Sequence, residues 1–228
     1  MVPVLMIQQK EVIELTWTKW IPSLFYILLL FYFYSGMRVY SKDSRDPVYK
    51  NYFYMSLSLS TWSLMAVLIS HTGTKEDALL WTFLSVFGWG FVYAFFLSLL
   101  IYMTHYEKRM NRWKWAAVYG PALISTSTVL YSFLSGAMEQ RMHYGLYGWT
   151  YSLDLEPWTL WVRIYYFIMA AMVLYLLIKW TPKEGDFVQG RIKKTLTFSI
   201  LLSLLLGLPK VLGLYERFGL NLLGLGPI

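Results

Sequence analysis

Residues 79–105 read LLWTFLSVFGWGFVYAFFLSLLIYMTH, and this stretch contains no Asp, Glu, Lys or Arg. It is longer than the roughly 20 apolar residues that an α-helix needs to cross a hydrocarbon core about 30 Å thick. A helix can cross such a core because it satisfies its backbone N–H and C=O groups internally. The stretch therefore predicts a transmembrane helix, and its lack of charge argues against a proton relay running through it.

Further apolar blocks of similar length are distributed along the whole 228-residue chain. Hydrophobic residues make up 57% of the chain and charged residues only 14%, so little of the surface is suited to water. We predict an all-α fold, a polytopic membrane bundle of six transmembrane helices without a soluble domain. The six predicted blocks are Trp20–Gly36, Asn51–His71, Leu79–His105, Trp115–Ser135, Trp158–Trp180 and Leu196–Tyr215.

The basic residues are distributed unevenly between the polar segments that join the blocks. The first loop (Arg38 to Lys50), the third (Lys108 to Lys114) and the fifth (Lys179 to Lys194) hold 13 of the 20 Lys and Arg residues. Cytoplasmic loops carry the excess of Lys and Arg in membrane proteins. We therefore predict that the N-terminus lies outside and that these three loops are cytoplasmic. The net charge of +7 is then a signal of topology rather than of a nucleic-acid surface.

The orientation also divides the chain into three predicted parts. Residues 1–19 form an extracellular N-terminal segment, residues 20–215 form the six-helix region, and residues 216–228 form an outer loop. Six helices that start outside also finish outside, and the last residues, Gly219–Ile228, are apolar and turn-forming. Gly-Pro is a natural entry to another helix. We expect a seventh helix to follow in a longer gene product.

Motifs for catalysis and for metal binding are missing from the sequence. Cysteine is absent, and the three histidines are His71, His105 and His143. The predicted topology places His105 on the opposite side of the membrane from the other two, so the three cannot share a metal. There is no His-Glu-x-x-His pair, phosphate-binding Gly loop or nucleophile elbow. We expect no enzyme activity, no metal and no cofactor in this chain.

Four residues near the predicted outer face are candidates for ligand binding. Arg163 and Lys210 lie inside apolar blocks, where an ionisable residue suggests a functional site unless its long side chain snorkels to water or is paired. Tyr147 and Trp149 belong to an aromatic outer segment that could line a ligand mouth. The alternative for these aromatics, as for Trp161 and most others near block ends, is the belt of rings at headgroup depth. Both interpretations remain open.

Helix breakers and small polar residues mark two of the predicted helices. Gly120-Pro121 and Gly207-Leu208-Pro209 predict kinks in the fourth and sixth helices. Hydroxylated residues are frequent in the second helix (Ser56 to Ser63) and in the fourth (Ser125 to Thr128). Such residues usually serve close helix packing and interhelical hydrogen bonds.

The run Leu68–Gly88, LISHTGTKEDALLWTFLSVFG, resembles the junction of helices 2 and 3 in the N-terminal seven-helix region of bacterial histidine kinases. Pro121, the aromatic segment Tyr144–Tyr151, the polar loop Lys183–Lys194 and the tail Tyr215–Ile228 are similar in style. The resemblance covers nearly the whole chain. That family is taken to be a sensor in front of histidine-kinase, diguanylate-cyclase or related output modules. Its ligands are mostly unknown, so it assigns no site residue here.

The resemblance implies a membrane-embedded sensory region in a bacterial cell membrane. An extracellular or membrane-dissolved signal would bind the outer half of the bundle. Its partners would be the lipid bilayer and a cytoplasmic output module, either in the same chain or in a partner kinase; a homodimer is left open and no nucleic acid is expected. The chain departs from the family in lacking the seventh helix and the output module. The alternatives are a small transporter or permease-like subunit and a structural membrane subunit that positions another protein.

Overall fold

The computed structural model describes residues 2–145, 148–151, 157–180, 190, 193–194, 196–198 and 201. Within them the chain is mainly helical, and two short strands form an antiparallel hairpin. Short 3₁₀ turns, Tyr106–Arg109 and Glu139–Arg141, follow α4 and α5. The elements are α1 (Val2–Tyr40), α2 (Pro47–His71), α3 (Lys75–Trp89), α4 (Val92–Met103), α5 (Arg112–Leu134), β1 (Met142–Gly145), β2 (Gly148–Tyr151) and α6 (Pro157–Lys179).

Polar side chains fix where three of the helices begin. The carboxylate of Asp46 accepts a hydrogen bond from the backbone N–H of Val48 at 2.7 Å at the start of α2. Thr74 accepts from the N–H of Asp77 at 3.3 Å at the start of α3. The side chain of Asn111 accepts from the backbone N–H of Lys114 at 2.9 Å at the start of α5. Each cap satisfies a backbone donor that has no partner inside its helix.

Five helical stretches in the described part are long and apolar enough to cross a membrane. They correspond to the first five predicted blocks and so confirm the prediction of a helical protein with several membrane-length helices. The sixth block, Leu196–Tyr215, lies largely outside the described residues, so the count of six stays a prediction. The five stretches are Pro22–Tyr40, Pro47–His71, Lys75–Met103, Arg112–Leu134 and Leu160–Lys179.

The helices expose large apolar side chains and bury small polar ones. Leu134 is 81% exposed and Ile178 is 71% exposed, whereas Ser56 and Ser125 are buried. Exposed apolar side chains on this scale are unfavourable in water, but lipid tails are as apolar as Leu. Small hydroxylated residues let neighbouring helices approach closely. The distribution fits a multi-pass membrane protein.

A seam of small and aromatic residues joins α1 to α2. A Cβ atom placed on Gly36 would lie only 2.8 Å from the Cβ of Ser56, so a larger residue there would push the helices apart. Next to this contact, the hydroxyls of Ser35 and Tyr52 are 2.6 Å apart. The hydroxyl of Ser60 donates to the backbone oxygen of Leu29 at 3.3 Å. The hydroxyl-rich face of α2 therefore serves helix packing, as its composition indicates.

The main hydrophobic core lies where α4, α5 and α6 meet. Leu97 and Leu100 of α4, Val118 of α5, and Met169 and Leu177 of α6 are all buried in one cluster. A hydrogen bond of 2.8 Å from the hydroxyl of Ser98 to that of Tyr119 also links α4 to α5. A second, smaller cluster includes Met138, which precedes the β-hairpin, together with Val86, Trp89, Val129 and Val162.

The structure differs from the predicted blocks in two respects. The first helix begins at Val2, so the segment predicted to be extracellular is helical. The third block forms one membrane-length span, as predicted, but its helix is divided into α3 and α4 around Gly90 and Phe91. By contrast, α5 continues through Pro121 as a single element. At the division, Gly88 and Gly90 lie in close contact with neighbouring helices.

Candidate functional site

The aromatic outer segment forms a hairpin at the end of the bundle where α2 ends and α3 begins. Strand β2 contacts α2, and Tyr144 of β1 pairs with Trp149 of β2. The rings of these two residues are 5.4 Å apart in an edge-to-face arrangement, a favourable geometry for aromatic pairs. Met138 and Met142 lie on either side of the 3₁₀ turn Glu139–Arg141, which precedes the hairpin. Both side chains are buried, so this end of the hairpin packs against the rest of the protein.

Two indole N–H groups at this end are buried without an acceptor. The Nε1 atoms of Trp149, in the hairpin, and of Trp161, in the second turn of α6, have no hydrogen-bond partner in the part of the chain that the structure describes. A buried donor without an acceptor costs about 1–3 kcal/mol. Both groups are therefore suited to an acceptor atom, such as a carbonyl or carboxylate oxygen, brought by a ligand.

The third span is interrupted near the middle of its length. The N–H of Gly90 still bonds to the oxygen of Val86 at 2.9 Å, and the N–H of Phe95 bonds to the oxygen of Phe91 at 3.0 Å. Between these two bonds α3 ends and α4 begins. Inside a hydrocarbon core, neighbouring helices must satisfy the backbone groups that such an interruption frees.

Close packing surrounds the interruption on two sides. A Cβ atom on Gly88 would lie 2.7 Å from the backbone nitrogen of Trp62 in α2. A Cβ atom on Gly90 would collide with the side-chain oxygen of Thr126 in α5. A larger residue at Gly88 would require a shift of the backbone of α2, and one at Gly90 would require the Thr126 side chain to move. The interruption is therefore held in contact with both α2 and α5.

A tyrosine of α6 completes the environment of the interruption. Tyr165, which is 1% exposed, donates a hydrogen bond from its hydroxyl to the backbone oxygen of Gly90 at 3.2 Å. Its ring lies 5.2 Å from that of Tyr166, which in turn lies 5.2 Å from Tyr93 of α4. Trp161 precedes Tyr165 by four residues and so lies one turn away on the same face of α6. The face of α6 that carries the Trp161 N–H, which has no partner among the described residues, thus also contacts the interruption.

Three buried hydroxyls in α2 and α5 have no hydrogen-bond partner in the described residues: those of Ser63, Ser125 and Thr126. Thr126 lies against Gly90, so one of the three adjoins the interruption. Among the described residues no group of three His, Asp or Glu side chains is arranged to hold a metal ion.

The structure describes only part of the predicted site. Trp149 lies in the hairpin, and Arg163 is the seventh residue of α6, near the start of that helix, with its side chain outside the described part. Tyr147 and Lys210 lie outside the described residues, so the binding of an anionic ligand by Arg163 and Lys210 stays a prediction.

Sequence reasoning missed the role of Tyr165 and Gly90, and it assigned Trp161 to the interfacial belt. The Gly-Trp-Gly run 88–90 inside the charge-free stretch was the available signal for an interruption. The hydrogen bond from Tyr165 to Gly90 joins residues 75 positions apart, and no local pattern marks such a pair.

No family model, curated protein or solved structure matches this chain. The resemblance to the histidine-kinase sensor region therefore stays a prediction, and function has to be argued from the site.

Proposed function

We propose that this chain is the membrane-embedded input region of a signalling receptor of the histidine-kinase or cyclase type. The observation that carries the proposal is the line of contacts along α6. Trp161 offers a buried N–H that has no partner in the described part of the chain, and Tyr165, one turn further along, bonds to the interruption at Gly90. A ligand acceptor that engages Trp149 and Trp161 would act on the helix that contacts the interruption.

The proposed mechanism is a shift between two packings of α6 against α3 and α4. A ligand moves such an equilibrium only by its difference in affinity for the two states. Repositioning of Trp161 would lengthen or break the bond from Tyr165 to Gly90 and would change how α4 packs on α6. Because α6 ends at Lys179, at the basic end of the bundle, the change in helix packing would reach that end. We place the output module there, in the same chain or in a partner kinase.

The orientation of the bundle is part of the proposal. The loop between α1 and α2, the 3₁₀ turn after α4 and the end of α6 all lie at one end, because successive spans alternate in direction. That end carries most of the Lys and Arg residues, which favours a cytoplasmic location. The hairpin would then face the outside, where Arg163 and Lys210 would make the site attractive to an anionic ligand.

The experiment replaces Trp149 and Trp161 with phenylalanine in the native gene, which removes the N–H groups and keeps aromatic rings. Phosphotransfer or cyclic-dinucleotide output is measured across growth conditions together with protein abundance. We expect the condition-dependent change in output to disappear at normal abundance. The control, Trp20→Phe, alters an indole that is 66% exposed on α1 and should leave the response intact. If the Trp149→Phe/Trp161→Phe variant responds normally, or deletion of the gene alters neither output, the proposal is wrong.

A second candidate, a small transporter, is favoured by one observation. Transporters commonly bind substrate where a spanning helix is interrupted, and the third span is interrupted at Gly90. Such folds usually carry a matching interruption in a second half, and α2 and α5 are continuous. Uptake of a solute by vesicles that contain the purified protein, abolished by Gly90→Val, would favour the transporter over the receptor.

A further inference from the structure

An exposed basic and aromatic surface lies at the end of the bundle opposite the hairpin. We define the basic rim as Lys108, Arg109, Arg112, Trp113 and Lys114, which connect α4 to α5 and form the first turn of α5. All five side chains are exposed, and Trp113 is the most exposed large apolar residue in the described part, at 84%. An indole in this state requires a surrounding other than bulk water.

Two cations of the rim contact groups other than carboxylates. The ammonium of Lys114 donates to the backbone oxygen of Arg109 at 2.7 Å. The guanidinium of Arg109 lies 5.6 Å from the centre of the Tyr106 ring. Only one acidic residue, Glu107, occurs between Thr104 and Ser135 in the sequence. Four cations therefore share a short segment with a single carboxylate.

Other helix starts in this molecule are arranged differently. The first turn of α3 carries Glu76 and Asp77, and the start of α2 is capped by the carboxylate of Asp46. The first turn of α5 has no acidic residue and carries Arg112 and Lys114 instead. Cations at a helix N-terminus repel its partial positive charge. An external anion at the rim would relieve that repulsion.

The position of the rim determines which anion fits. Arg112 opens a stretch, Arg112–Leu134, that is long and apolar enough to cross a membrane. Trp113 therefore lies at the level of the membrane–water interface, where amphipathic aromatic rings are enriched. Clusters of four or more Lys and Arg beside a membrane helix attract anionic headgroups. A soluble anion would pair with the cations but would leave the indole of Trp113 in water.

We propose that the basic rim binds anionic phospholipid of the adjoining leaflet, with Arg109, Arg112 and Lys114 on the phosphate groups and Trp113 between the headgroups. This inference is independent of the proposed receptor function. It implies that the content of anionic lipid biases the packing of α5 against α4 and α6 at this end of the bundle.

The absence of cysteine from the chain permits a site-specific test with the whole protein. A bimane fluorophore is attached to Ala116→Cys, one turn beyond Arg112, and the protein is placed in phosphatidylcholine vesicles. Quenching by phosphatidylglycerol with brominated acyl chains is compared with quenching by brominated phosphatidylcholine at the same mole fraction. The matched control is bimane at Leu134→Cys, an exposed position at the other end of the same helix.

We expect phosphatidylglycerol to be preferred at position 116 and not at position 134. Replacing Arg112 and Lys114 with Gln should reduce the preference by about five-fold for each cation removed. Replacing Lys42 and Arg45 with Gln, which removes two exposed cations at the same end, should leave it unchanged. Higher ionic strength should weaken the preference of the unaltered rim, a result that does not depend on how the Gln variant folds.

Three results would overturn the proposal. The first is equal quenching by the two brominated lipids at position 116. The second is an equal preference for phosphatidylglycerol at positions 116 and 134. The third is loss of the preference on adding inorganic phosphate at constant ionic strength, since the rim would then bind the free anion rather than lipid.

Discussion

Tyr165 is the residue through which α6 contacts the interruption of the third span. Its hydroxyl is buried, and the oxygen of Gly90 accepts its hydrogen bond at 3.2 Å. Inside a membrane bundle no water competes for either group, and an unsatisfied carbonyl there is costly. The pair therefore contributes to stability as well as to the coupling between α6 and α4.

We expect Tyr165→Phe to lower the free energy of unfolding by about 0.5–2 kcal/mol, because the Gly90 carbonyl loses its partner while the ring is retained. Thermal unfolding of the purified protein in detergent measures the effect. Tyr175→Phe is the matched control, since this tyrosine lies on the same helix and is 58% exposed. Equal stability of the two variants would show that the buried hydrogen bond has no energetic role.

At the scale of the element, glycine has opposite roles in two spans. In α3, a Cβ atom on Gly88 would lie 2.7 Å from the backbone of Trp62, and backbone atoms cannot move aside as the end of a side chain can. In α5, a Cβ atom on Gly120 would meet nothing within 4 Å. The first glycine is required by helix packing, and the second is not.

Gly88→Ala should therefore destabilise the protein by about 1–3 kcal/mol, the usual cost of overpacking. Gly120→Ala should be neutral or slightly stabilising, because alanine loses less conformational freedom than glycine in a helix. Thermal unfolding of both variants under the same conditions provides the comparison. A Gly88→Ala protein as stable as the Gly120→Ala protein would contradict the close approach of α2 and α3.

The elements differ in how far the sequence could predict them. The five described spans follow from hydropathy, which depends only on neighbouring residues, and their predicted positions agree with the helices. The interruption at Gly90 was missed because glycine is common in transmembrane helices and marks a break only when a second helix lies against it. The kink that Pro121 predicts in α5 stays a prediction, because a kinked helix is also continuous through its proline.

The candidate site could be predicted only in outline. Trp149 was recognised because aromatic residues cluster in the outer segment, a local property of the sequence. The burial of the Trp161 N–H and the bond from Tyr165 to Gly90 depend on how distant helices pack. Hydropathy carries no information on such packing, because the apolar residues that face lipid and those that face protein are alike.

At the scale of the whole molecule, the proposed function depends on a bundle whose hairpin faces the outside and whose basic rim faces the cytoplasm. Charge distribution supports this orientation, because cytoplasmic loops are rich in Lys and Arg. The proposed function relies on it: the ligand reaches Trp149 from the outside, and the output module lies where α6 ends. If the orientation were reversed, the proposed ligand site would face the cytoplasm.

The most direct test uses single cysteines in this cysteine-free chain. Four exposed positions are substituted one at a time: Ser44 and Lys108 at the basic end, and Gly73 and Gln140 at the hairpin end. Intact cells are treated with a membrane-impermeant thiol reagent, and lysed cells provide the control for reactivity. We predict labelling at 73 and 140 in intact cells, with labelling at 44 and 108 only after lysis. Labelling of 44 and 108 in intact cells, with 73 and 140 protected, would contradict the orientation on which the proposed function rests.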